Sequence, residues 1–146
     1  MKTLLLNIRT YLRDTVNCVR NNSKDIYIAP HIDFLPAHVK FPCIGIKDGD
    51  VDPSFGAGCI DRDLIVYVSL YTNLYKFESN LIGDDSANKI GILDFSDRVR
   101  DLLNVYIPTN CQAVECIKES GSELLTDGEN SFIQQKILTF KYFFTY

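Results

Sequence analysis

Leu5, Ile8, Leu12, Val16 and Val19 recur at helical spacing, which predicts an amphipathic helix over residues 4–19, stopped by the Asn-Asn-Ser run at 21–23. A second stripe, Ile92, Phe95, Val99 and Leu102, predicts a helix over 87–104 with Asp85 or Ser86 as its cap. The rest of the chain follows a period of two. DIYIA at 25–29 and FPCIGI at 41–46 read as short strands joined by a connection that Pro30 and Pro36 punctuate. DLIVYVSLYTNLYK, residues 63–76, is the clearest strand, with Leu64, Val66, Val68, Leu70 and Leu74 on an aliphatic face and Ile65, Tyr67, Ser69, Tyr71, Asn73 and Tyr75 on the other. The first face calls for a layer of helices. The second presents tyrosines, whose apolar bodies and polar tips suit both solvated faces and protein interfaces.

Further on, QAVECIK at 112–118 predicts a strand, ESGS turns the chain, SELLT at 122–126 forms a short strand and TDGENS turns it again. Residues 131–146, SFIQQKILTFKYFFTY, close the sequence as a long strand that is apolar or aromatic on both faces toward its end. Such a strand should be covered on both sides, and a neighbouring subunit is the expected source of the second cover. These elements predict an α+β fold, a mostly antiparallel sheet with two helices packed on one face. At 146 residues the chain is expected to form one domain, 1–146, around one core.

Between the second and third strands, residues 47–63 read as a long loop broken by Gly49, Pro53, Gly56 and Gly58, and loops of that length are usually functional or disordered. This segment also sharpens the charge picture. The net charge of -4 divides unevenly: residues 1–24 carry Lys2, Arg9, Arg13, Arg20 and Lys24 against Asp14 alone. Residues 47–63 carry Asp48, Asp50, Asp52, Asp61 and Asp63 against Lys47 and Arg62. On the first helix, Lys2, Arg9, Arg13 and Arg20 fall within about 40° of one another, a basic flank beside the apolar stripe. Overall acidity makes tight nucleic-acid binding improbable. No apolar run is long enough to span a membrane and no apolar leader opens the sequence, so a cytosolic birthplace is expected. Five widely spread cysteines without a CxxC pair read as reduced, small hydrophobes.

The candidate chemistry is thin. His31, His38 and Cys43 are good zinc ligand types, but their spacing fits no helical or ribbon metal motif and Pro30, Pro36 and Pro42 interrupt it. KDGDVD at 47–52 opens like a calcium loop. Pro53 then stands where the turn glycine is needed, and Cys59 where the bidentate glutamate belongs. Gly56 to Gly58 lack the lysine and helix of a phosphate loop, and no serine sits in a GxSxG elbow. The expectation is therefore no enzyme, no cofactor and no metal.

In the order and size of its elements the chain resembles the tail terminators of long-tailed bacteriophages. The resemblance is carried by the basic first helix, FPCIGIKDGD running into its loop, LIVYVSLYTNLYK, IGILDFSDRVRDLLN and the closing QQKILTFKYFFTY. It implies a structural virion protein at the neck that forms a ring, usually sixfold, on the head-proximal end of the tail tube. Such a ring ends tube polymerisation and presents the surface to which the head joins. The implied partners are copies of the chain, the major tail tube protein and a head-completion or neck protein, with genomic DNA passing through without specific binding. On this reading Lys47, Asp48, Asp50, Asp52, Phe55, Asp61 and Asp63 face the tube or the lumen, where carboxylates repel phosphates. Tyr67, Tyr71, Tyr75, Tyr142, Phe143 and Tyr146, with Arg9 and Arg13, form the contact between subunits. Two alternatives stay open: another virion joining protein of the neck, head closure or baseplate, and a small metal-dependent hydrolase using His31, His38 and Cys43.

Overall fold

The computed structural model describes the chain except for residues 20–22, 57–58, 74–76, 85–88, 126–132 and 146, and it leaves out the side chains of 54–56, 59–60, 77 and 79–80. Its elements are α1 (Lys2–Thr15), β1 (Ile26–Ile28), β2 (Cys43–Gly56), β3 (Cys59–Asn73), α2 (Phe77–Ile82), α3 (Ile92–Asn104), β4 (Cys111–Glu119), β5 (Glu123–Leu125) and β6 (Ile133–Thr145). The fold class is α+β, as the periodicities predict. The six strands form one sheet in the order β1-β2-β3-β6-β4, with β5 also pairing β6. All pairings are antiparallel except β1 with β2.

Residues opposite each other in neighbouring strands share a face, so the register sorts the sheet's side chains. Leu64 lies opposite Tyr142, Val66 opposite Phe140 and Val68 opposite Leu138, while Ile44 and Ile46 continue the same rows into β2. This is the helix side. Leu4, Leu5, Ile8 and Leu12 of α1 and Ile92, Phe95, Val99 and Leu103 of α3 pack onto it, and most of these side chains are fully buried. Burial of each such aliphatic or aromatic side chain stabilises the fold by about 1.5–3 kcal/mol, which makes this layer the main source of stability.

The helices start and stop away from their predicted ends. The apolar stripe of α1 continues to Val16 and Val19, both buried, but the helix ends at Thr15 and Val16 turns extended, with φ -81° and ψ 117°. Two β-branched residues at this point weaken the helix just where the chain must bend toward β1. Asp85 and Ser86 lie outside the described residues; α3 is instead capped at Gly91 without a side-chain hydrogen bond. A backbone pair between Asp84 and Lys89, at 2.9 and 3.0 Å, folds the chain back ahead of it. That turn presses Gly91 against Gly83: a Cβ on Gly91 would come within 2.3 Å of the Gly83 nitrogen and 2.5 Å of the Leu81 carbonyl oxygen. Only glycine fits at this close approach.

Tyr142 is buried on the helix side, and its hydroxyl has no hydrogen-bond partner among the described residues. Burial pushes its pKa up. A buried polar group left unpaired costs about 1–3 kcal/mol. Tyr142→Phe is therefore expected to hold or raise stability, by up to about 1 kcal/mol. Urea unfolding of the two proteins measures this, and a clear loss in the variant would mean that the hydroxyl is bonded.

Candidate functional site: the acidic hairpin and the second sheet face

The predicted long loop at 47–63 is not a loop. Residues 43–56 and 59–73 form one extended antiparallel hairpin whose ladder runs from Cys43 opposite Tyr71 to Gly56 opposite Cys59. The glycines and Pro53 read as loop breakers because an edge strand tolerates them equally well. Between Asp48 and Val51 the register shifts through a β-bulge. Gly49 sits in that bulge against β3, where a Cβ would fall 2.8 Å from Ile65 Cγ2 and 2.9 Å from Tyr67 Cε2. A glycine is what lets the bulged strand lie that close.

The hairpin distributes its carboxylates between two environments. Asp48, Asp50 and Asp52 are exposed on β2, and Asp48 accepts an ion pair from Lys47 at 3.3 Å. Asp61 and Asp63 lie on the interior strand β3 and are half-buried. Asp63 is opposite Asp52 on one side and Phe143 on the other. The like charge of Asp52 is offset by Lys141 of β6, whose Nζ lies 2.8 Å from Asp63 Oδ2 and 5.2 Å from the centre of the Phe143 ring. The hydrogen bond to Asp63 pushes the Lys141 pKa up. Phe55 has a described backbone, opposite Ile60, but its side chain is outside the description.

The other end of this second face is closed by the chain itself. Residues 30–42, the return path between the parallel strands β1 and β2, lie over it as a strap. Phe34, Leu35, Val39 and Phe41 of the strap pack on Tyr27, Ala29, Cys43, Tyr71 and Ile133. Polar groups fasten it: Tyr71 Oη donates to the Ile32 carbonyl at 2.6 Å, Tyr27 Oη to the Phe34 carbonyl at 2.7 Å, and Gln135 Nε2 to Asp33 Oδ1 at 2.9 Å. Gln135 also donates to the Tyr71 hydroxyl at 3.2 Å, and the Lys40 amide donates to Asp25 Oδ1 at 3.0 Å. Burial pushes the Tyr71 hydroxyl up to about 12 and raises Tyr27 and the Cys43 thiol as well. The two tyrosine hydroxyls are therefore held in the protonated form that donates to the strap carbonyls.

Several residues expected between subunits are thus used inside the chain. Tyr71 is fully buried under the strap and Tyr142 beneath the helices, so the cover expected from a neighbour comes from this chain at both positions. The guanidinium of Arg13 turns inward and donates to the carbonyls of Ile26, at 2.8 and 3.2 Å, and Ser23, at 2.7 Å. Arg9, half-buried beside it, has an Nε without a partner among the described residues. Tyr67 and Phe143 remain half-buried on the second face. Tyr75, Tyr146, Leu74 and Arg20 lie outside the described residues.

The zinc candidates are not brought together. His31 and His38 are exposed on the strap, His31 edge-on to Phe34 at 5.4 Å, while Cys43 is buried beneath it. Among the described residues no three His, Cys, Asp or Glu side chains form a metal-holding group. Nor is any described helix long and apolar enough to cross a membrane. The strap fastening was not legible in the sequence. Its only signal is the proline punctuation, and nothing local pairs Gln135 with Asp33, 102 residues away.

No protein-family model matches the chain, and no curated protein does. Among solved structures, a chain from the virion of a native gene transfer agent particle shares its fold. The TM-score is 0.65 at 11% sequence identity, over 98% of this chain and 95% of that one. At that identity the likeness is one of fold: the hairpin, the six-stranded sheet and the helices on one face form an arrangement that also occurs in a virion.

Proposed function

We propose that the chain is a structural protein of a phage-like virion, and within it a tail terminator: a ring on the head-proximal end of the tail tube that stops tube growth and presents the head-joining surface. The observation that carries this reading is the fold likeness, over nearly the whole length of both chains, to a chain of a gene transfer agent virion. The order of elements that resembles the terminators points the same way. The role asks for rigid surfaces and needs no catalysis. In such a ring the acidic hairpin faces the tube or the lumen. Phosphate neutralisation is what gives proteins nonspecific affinity for DNA, so exposed Asp48, Asp50 and Asp52 would let the genome pass without sticking. Among the described residues, Tyr67 and Phe143, half-buried on the open part of the second face, are the expected aromatic residues left for contacts with other subunits.

Electron microscopy of particles assembled without this chain tests the proposal. Filled heads beside abnormally long, headless tails are the expected result. Tails of normal length, or none, would instead place the protein at the neck, head closure or baseplate.

A further inference from the structure

From Lys47 onward β2 has no outer neighbour among the described residues, because β1 pairs it only at Ile44, Gly45 and Ile46. A long open edge is a template on which another chain can add a strand. This one combines three features that oppose such pairing. The bulge between Asp48 and Val51 breaks the regular spacing of edge donors and acceptors. Exposed Asp48, Asp50 and Asp52 would set like charges against any second copy of the same edge. Pro53 lies in register with Arg62, and a proline fits a ladder only where its nitrogen faces away from the partner strand, so it also removes a donor from the open side. The opposite edge is treated the same way. β4 carries bulges between Cys111 and Ala113 and between Cys116 and Lys118, with Glu115, Lys118 and Glu119 exposed along it.

We infer that the open edge of β2 from Lys47 onward and that of β4 are built to refuse a further strand, so that copies of this chain meet through side chains on their faces and ends and not by continuing the sheet through either strand. The inference concerns any oligomer of the chain and does not depend on where in a virion that oligomer sits. Uncapped, the β2 edge would let one copy extend the sheet of the next in a head-to-tail series that need not close.

Two measurements on the full chain test this. In the first, hydrogen exchange at the outward-facing amides of residues 47–52, those not paired with β3, is followed in dilute and in concentrated wild-type protein. The expected result is equally fast exchange in both, whatever the oligomeric state, and strong protection on concentration would overturn the inference. In the second, Asp50→Thr, Asp52→Thr and Pro53→Val are combined. Light scattering is expected to show species larger than any the wild type forms, with exchange at the outward-facing amides of 47–52 slowed at least tenfold. A variant with wild-type circular dichroism and wild-type mass at every concentration would overturn it.

Discussion

Replacing Phe95 by alanine should lower stability by about 3–5 kcal/mol, the usual cost of emptying an aromatic site in a core. Phe95 is fully buried on α3, among the side chains that join both helices to the sheet. Domains of this size are stable by only about 5–15 kcal/mol, so the variant should lose a large share of its stability and unfold at a clearly lower temperature. Leu93, two residues earlier on the same helix, is 40% exposed. Its replacement by alanine should change stability by about 0.5 kcal/mol or less. Thermal unfolding of the two variants side by side measures the contrast. Equal shifts would mean that α3 is seated on the sheet in a different rotation.

Tyr71 carries the second large effect, because one side chain holds both an apolar contact and a fastening. Tyr71→Ala empties a fully buried site and should cost about 3–5 kcal/mol. Tyr71→Phe keeps the ring and removes only the hydroxyl, leaving the Ile32 carbonyl without that donor and Gln135 without one of its two acceptors. About 1–3 kcal/mol is expected from this change. The loss should be concentrated in the strap, since the helix side of the sheet is untouched. Limited trypsin digestion reads that directly: cleavage after exposed Lys40 should accelerate in Tyr71→Phe well before cleavage elsewhere. Uniform acceleration at every site would show that the strap and the sheet unfold as one unit.

These two residues also mark how far the sequence could be read. Phe95 sits in a 3.6-residue stripe and was assignable to the core from local pattern alone. The aliphatic face of β3 was equally legible, because alternation fixes which side chains share a side and the longer apolar row goes inward. Tyr71 was not. Its alternation put it correctly on the second face, but what covers that face is decided by a proline-rich segment some forty residues earlier and by Gln135, buried on β6. Polar residues such as Ser69, Thr72 and Gln134 look like solvent-facing positions until the tertiary structure buries them. The hairpin failed for another reason. Glycine, proline and aspartate are loop residues, and they are also the residues that an unpaired edge strand accumulates. Composition cannot separate the two, whereas the register of β2 on β3 can.

The place of β6 governs when any of this structure can exist. It follows the other described strands in the chain yet lies between β3 and β4, paired along its length with β3 at positions 60 to 84 residues away in sequence, from Asn73 with Ile133 to Asp61 with Thr145. During synthesis the ribosome therefore releases a hairpin and a set of helices with no middle to the sheet. Phe140, Tyr142 and Phe144 then close the core in a slow step, because the loop to be closed is long. A nascent chain halted before residue 133 holds β3 and β4 with their inner edges bare, the form most exposed to misassembly and to chaperone capture.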